Sequence, residues 1–164
     1  MEVRRAFALG CERGDFRLVH YSIQHNHLHL IVEAESQRAL SRGMMSVAVR
    51  FARAVNRVFR RKGKVIAGRY NVQLLTSPRQ VRNALRYVLL NIRKHFVQRR
   101  GCAPPVRIDE ASSGSRFDGW RPCPESLRVK AAAQEEVGVA KAVSWLLTTG
   151  WRRSGLIDLS AVPG

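Results

Sequence analysis

Acidic residues are scarce in this chain. Its 164 residues hold 12 Asp and Glu against 29 Lys and Arg, a formal charge of +17 with a pI near 11.5. Cysteine is scarce too: Cys11, Cys102 and Cys123 are an odd number, widely spaced, with no CxxC pair. That excludes a disulfide framework and a cysteine zinc site, and it fits a reducing cytoplasm. No apolar run approaches the roughly 20 residues of a membrane-spanning helix. The N-terminal stretch MEVRRAFALGCERGD carries charge on both sides of a short mixed segment, which argues against secretion. Internal repeats and low-complexity tracts are also missing.

With 45% hydrophobic residues the chain can bury a core, so it is not a disordered basic tail. The length suits one compact domain with an appendage. Its charge is unevenly spread: residues 1–101 hold 21 Lys and Arg against 5 Asp and Glu, whereas residues 102–164 hold 8 against 7. A field of that sign attracts polyanions, and nucleic acid binds such a surface by releasing counterions from its phosphates. A solvated basic surface with no specific ligand is the alternative.

Local patterns divide the first part. Residues 2–13 predict a short helix. Residues 16–24 (FRLVHYSIQ) and 27–34 (HLHLIVEA) alternate apolar and polar side chains and predict a β-hairpin. From Ser36 to about Arg61 a helix is expected, with Leu40, Met44, Val47, Phe51, Ala54, Val55 and Val58 inward and a basic remainder that includes Arg50, Arg53 and Arg57. Residues 64–75 (KVIAGRYNVQLL) have strand-like composition and predict a third strand. Ser77, Pro78 and Gln80 then read as a capping box opening a helix to about Gln98, whose buried stripe is Val81, Leu85, Val88, Ile92 and Phe96. After Gly101 comes a proline-rich linker. Residues 126–149 suit one or two helices, with Gly150 as C-cap and Trp145 and Trp151 as anchors.

The densest chemistry lies at His25-Asn26-His27-Leu28-His29. In a strand, residues two apart share a face, so His27 and His29 point together while Leu28, Leu30 and Val32 take the opposite, buried face. Two adjacent imidazoles are a ready pair of metal ligands, although histidines on a strand can equally be half-exposed polar residues. His25 is expected to be exposed at the turn. On the second long helix, Tyr87 and Asn91 lie four apart, about 40° from each other, beside the apolar stripe rather than in it. Taken alone, each fits an ordinary surface or core-edge role.

HNHLHLIVEA, a long basic helix, a strand and then LRYVLLNIRKH together resemble the single-tyrosine HUH transposases, in particular the IS200-like and REP-associated tyrosine transposase group. The family's His-hydrophobic-His motif matches His27-Leu28-His29. Its tyrosine followed four residues later by Asn or Gln matches Tyr87 and Asn91. The resemblance covers roughly residues 1–100 and implies an α+β, ferredoxin-like HUH fold, an antiparallel sheet with helices on one face. It further implies that His27, His29 and Asn91 hold a divalent cation, Mg2+ or Mn2+, and that Tyr87 is the nucleophile. The reaction would cleave and rejoin single-stranded or hairpin DNA through a 5′-phosphotyrosine, with a homodimer as a further possibility of the family. Arg69, Tyr70, Arg82 and Arg86, near that site in sequence, are expected to contact DNA.

The family's fold opens with a strand before the first helix, and this sequence enters its first helix almost at Met1. The first strand is therefore expected to be missing, through a start assigned downstream or a truncated, inactive copy; a replacement strand from the C-terminal part or another subunit is the third explanation. Residues 1–101 are expected to form the catalytic domain, and residues 102–164 a helical or irregular extension that packs on it. Two readings compete with the strand transferase: a catalytically silent DNA-binding remnant of the family, and an unrelated metallohydrolase built on the same histidines.

Overall fold

The computed structural model describes residue 7 and residues 12–102, 104–121 and 138–163. Contacts group the chain into two compact units that each draw on both sides of Gly101: Met1–Val19, Val32–Leu74 and Glu136–Ala142 in one, His20–Ile31, Leu75–Glu135 and Val143–Gly164 in the other. The architecture is α+β. Strands β1 (Glu12–Arg13), β2 (Phe16–Ile23) and β3 (Leu28–Ala34) form a three-stranded sheet in that order. β1 runs antiparallel to β2, with Glu12 opposite Arg17 and Arg13 opposite Phe16. The expected hairpin is β2–β3, closed at its tip where the Gln24 amide donates to the His27 carbonyl at 2.9 Å. Of the helix expected over residues 2–13, Phe7 is helical, Glu12 and Arg13 are strand, and the rest lies outside the described residues.

In the first unit, helix α1 (Gln37–Val58) starts where the Ser36 hydroxyl accepts from the Ala39 amide. Its buried line is Ala39, Gly43, Val47, Phe51 and Ala54: the last three are inward as expected, whereas in the first turns Ala39 and Gly43 take the place of Leu40 and Met44, which are half-buried. Gly43 explains the difference: a Cβ there would run into the Phe16 ring, so the helix presents its smallest residue to an aromatic side chain of β2. Phe51 stacks on Phe7 with ring centres 5.6 Å apart.

Residues 64–75 are not a strand. They run irregularly, with Tyr70, Val72 and Leu74 exposed, and no described residue pairs with them. β-forming composition only describes a side chain's fit to a pleated surface; without a ladder to satisfy its backbone the segment stays in solvent.

The second unit is organised by α2 (Pro78–Arg100). The capping box forms as the sequence predicts: the Gln80 amide donates to Ser77 Oγ at 3.3 Å and the Ser77 amide to Gln80 Oε1 at 3.1 Å, with Pro78 in the first turn. Gly101, at φ 69°, closes the far end in the left-handed region that its missing Cβ permits. Val81, Leu85, Val88, Leu89 and Leu90 form a core with Ile31, Phe117, Trp151, Ile157 and Leu159, while Ile92 and Phe96 are only half-buried. Trp151 is the anchor expected of it. Trp145 instead stands in solvent with the Arg153 guanidinium over its ring.

The residues after Gly101 that the structure describes make one helical turn, α3 (Trp145–Thr148), and two 3-10 helices, Ser113–Arg116 and Gly150–Ser154. Gly150 thus opens a 3-10 helix rather than capping the one before it, and residues 126–137 lie outside the described residues. Two arginines of α2 hold this segment. Arg82 donates to the carbonyls of Gly155 and Leu156 at 3.0 and 3.2 Å; Arg93, buried, donates to those of Pro105 and Ser160 at 3.0 and 3.1 Å. A guanidinium holds its N–H donors in a rigid plane that aims at two carbonyls at once, which a single ammonium does with less directional fit. Arg93→Lys is therefore expected to lower stability in urea titrations by about 1–2 kcal/mol; an unchanged midpoint would show that the fork carries no weight.

Beyond its pairing with the short β1, the edge of β2 is sealed by the same segment. The Tyr21 amide donates to Ser113 Oγ at 3.0 Å and the Ile23 amide to the Ala111 carbonyl at 2.8 Å. His20 joins this seam, its Nδ1 3.1 Å from Ser113 Oγ and its ring edge-on to Phe117. Removal from water outweighs the attraction of Asp118 and lowers its pKa from 6.5 to about 4. The unfolded chain then takes up a proton that the folded one refuses, so stability falls as pH drops from 6.5 towards 4. Between pH 7 and 4.5 the expected loss is roughly 2–3 kcal/mol. Urea titrations at both pH values check this, with His20→Asn expected to remove most of the difference.

Candidate active site

β3 brings the histidines to α2. His27, His29 and Ile31 alternate onto one face, and Ile31 is the residue of β3 buried in the core of α2. Leu28, Leu30 and Val32, expected to be the inward set, are half-buried, as is His29, while His27 is exposed. His25 is exposed, as expected.

The imidazoles converge edge to face. His27 Nε2 lies 3.0 Å from His29 Nε2, with ring centres 4.6 Å apart. Two nitrogens each about 2.1 Å from one ion and at right angles around it stand about 3.0 Å apart, so the pair already has a ligand spacing. Asn26 Oδ1 accepts from His27 Nδ1 at 2.6 Å, which leaves the lone pair on Nε2, where the pair meets. Burial first, and then the neighbouring imidazoles of His27 and His95, hold the His29 pKa below its usual 6.5. A neutral ring, the form that ligates, results.

The Tyr87 ring stands edge-on to His29 at 5.0 Å between centres and is half-buried against the core. Asn91, one turn further along α2, is fully buried within the core rather than beside it, and neither its Oδ1 nor its Nδ2 has a partner among the described residues. A buried amide with both ends unsatisfied is rare and requires an explanation. Lys94 Nζ lies 5.2 Å from the centre of the Tyr87 ring, and the His95 ring 6.2 Å from that of His27. Among the described residues no three His, Cys, Asp or Glu side chains stand close enough to enclose a metal; the candidate donors are two imidazoles and an amide.

The expected DNA contacts fall in both units. Arg82 turns its guanidinium to the carbonyls of Gly155 and Leu156. Arg86 is half-buried on α2. Arg69 and Tyr70 are exposed in the other unit, where the Tyr70 hydroxyl is 3.3 Å from Ser41 Oγ. That unit also carries an open groove of about 480 Å3 lined by Arg13, Arg42, Arg50 and Arg53 around Met45 and Val49. Sequence reasoning passed over Asn26, Lys94 and His95. Their signal was present: Asn26 adjoins the histidine motif, and Lys94 and His95 fall seven and eight residues after Tyr87, on its side of the helix.

The sequence model of the IS200-like transposases matches residues 1–91, more than half of the chain, and that span includes both histidines, Tyr87 and Asn91. The chain belongs to the IS200-like transposase family. Its membership makes transposition of DNA the function of its class and DNA its partner, and divalent metal is in general use in this family. No curated protein and no solved structure gives a significant match. No helix among the described residues is long and apolar enough to cross a membrane.

Proposed function

We propose that this IS200-like transposase is a strand transferase that cuts and rejoins single-stranded or hairpin DNA through Tyr87, on a ferredoxin-like HUH fold. The observation that carries the reading is the meeting of a ligand-spaced histidine pair with the Tyr87 ring on one side of α2, one turn from a buried amide that lacks a partner. The donor set fits the family's divalent cation: His27 Nε2, His29 Nε2 and Asn91 Oδ1 would hold Mg2+ or Mn2+, and none of them is charged. When bound, the cation withdraws charge from the phosphoryl oxygens.

The chain's own groups do the rest. Asn26 fixes the His27 tautomer, and burial keeps His29 neutral. The Tyr87 Oη attacks phosphorus in line; the Oη–P bond forms, the P–O3′ bond breaks, and a 3′-hydroxyl leaves. A phosphotyrosine stores the diester's energy, so rejoining is the reverse attack and needs no nucleotide. Arg86, on the helix that carries Tyr87, supplies a backbone contact for the strand, and Arg69 and Tyr70 offer DNA contacts on the other unit.

The test is incubation of hairpin and linear single strands, labelled at the 3′ end, with protein and Mn2+, followed by a denaturing gel. A labelled protein band is expected. DNA bound without any adduct by a folded, Mn2+-loaded protein would instead identify a silent DNA-binding member of the family.

A further inference from the structure

The groove on α1 takes no part in the site built on α2. It lies wholly within the first unit, between β1, which supplies Arg13, and about three turns of α1, which supply Arg42, Met45, Val49, Arg50 and Arg53. All six side chains are exposed, Met45 to 70% and Val49 to 43%. The Asp15 carboxylate, in the turn between β1 and β2, stands 3.5 Å from Arg13 and 2.5 Å from Arg42 and so ties β1 to the helix. Arg50 and Arg53 pair with no carboxylate among the described residues. Guanidiniums thus outnumber acids along a strip that follows α1 for about 16 Å, at about 1.5 Å per residue from Arg42 to Arg53.

The lining selects among polyanions. Single strands draw much of their affinity from bases stacked on aromatic rings, and no aromatic ring lines this groove. A duplex instead offers stiff, closely spaced phosphates, one per about 1.7 Å of axis, which guanidiniums on a rigid helix meet without ordering a flexible chain. Met45 and Val49 stand one turn apart on the same side of α1, and an exposed apolar pair among arginines suits the sugars between those phosphates better than open water. We infer that this face of α1 is a binding site for double-stranded DNA, the stem of a hairpin substrate, gripped by its phosphate backbone through Arg50 and Arg53. No bond is made or broken there. The inference deepens the proposed function and rests on its reading of hairpin DNA as a substrate.

Anisotropy of fluorescent DNA with the full chain in EDTA, across a salt series, tests it without any cleavage. The probes are a blunt hairpin that is almost all stem and an unstructured single strand of the same length. Arg50→Gln combined with Arg53→Gln is expected to weaken stem binding roughly thirtyfold and to reduce the log–log salt slope by about 1.8, the share of two duplex phosphates, equally for stems of unrelated sequence. Arg50→Lys with Arg53→Lys should keep the wild-type slope, because the charge remains. Met45→Glu should also weaken stem binding, by setting a carboxylate against phosphate. Binding of the single strand should fall by less than about threefold in each case. These side chains are exposed, so matching thermal unfolding of the variants keeps a folding defect from imitating the result. A wild-type slope in the glutamine pair overturns the site, and so does an equal loss on the single strand. Sedimentation covers a second copy as occupant: a dimer that Met45→Glu splits with stem affinity unchanged overturns the assignment to DNA. Stem binding as expected, with no Tyr87 adduct on a hairpin carrying a single-stranded tail, overturns the cleavage reading alone and leaves the stem site standing.

Discussion

Tyr87→Phe is expected to abolish the covalent protein–DNA adduct and to reduce strand cleavage at least about 10^4-fold, because a ring without its hydroxyl offers no nucleophile. The substitution is nearly silent structurally. The ring keeps its edge contact with His29 and its place under Lys94, and the half-buried hydroxyl has no hydrogen-bond partner among the described contacts. Stability should shift by less than about 1 kcal/mol, and DNA affinity in EDTA should stay at the wild-type level. The label position adds a chemical check. Attack by Tyr87 leaves the protein joined to the 5′-phosphate of the downstream piece, so only DNA labelled at its 3′ end transfers label to protein. Cleavage that survives Tyr87→Phe would identify a hydrolase that uses the same histidines and a water nucleophile.

The parts of this fold legible in the sequence are those whose causes are local. Ser77, Pro78 and Gln80 specify the start of α2 within four residues, and the hairpin follows from alternation on either side of a short polar turn. The histidine pair was legible for the same reason: a spacing of two places both rings on one face wherever the strand goes. Residues 64–75 were misread because a strand is a property of a pair, and the ladder partner that composition cannot reveal is not among the described residues. The inward line of α1 was legible at Val47, Phe51 and Ala54 but not in its first turns, because Gly43, which contributes nothing to a hydrophobic pattern, is where Phe16 lodges.

Non-local partners hid the remainder. Arg82 reads as one more cation beside a proposed DNA site, yet its acceptors are carbonyls more than seventy residues away in the chain. Arg93 likewise belongs to the docking of the C-terminal segment, which no nearby spacing foretells. Such long-range contacts also give that segment a role: its side chains complete the core under the same helix that carries Tyr87, so the placement of that ring depends on residues outside the family's matched span.

Asn91→Leu is expected to stabilise the metal-free protein while abolishing its response to cation. Asn91 was expected at the edge of the apolar stripe and is instead fully enclosed by it, among Val88, Leu89 and Leu90 and their partners. An enclosed amide with no partner costs about 1–3 kcal/mol, and a leucine, of the same branched shape though larger, removes that cost and adds apolar contact. Thermal unfolding without metal should therefore rise by a few degrees, at about 2–4 °C per kcal/mol for a chain of this size. Wild-type protein should gain further stability from Mn2+, about 2.7 kcal/mol at a hundredfold excess over Kd, whereas the leucine variant should gain none and form no adduct. A residue that is unfavourable for the fold and required for the ligand is the signature of a functional position, since stability is given up where a site must hold an unsatisfied group. If the variant is less stable and Mn2+ still raises its melting temperature as in the wild type, Asn91 is a structural residue and the cation is held by the histidines without it.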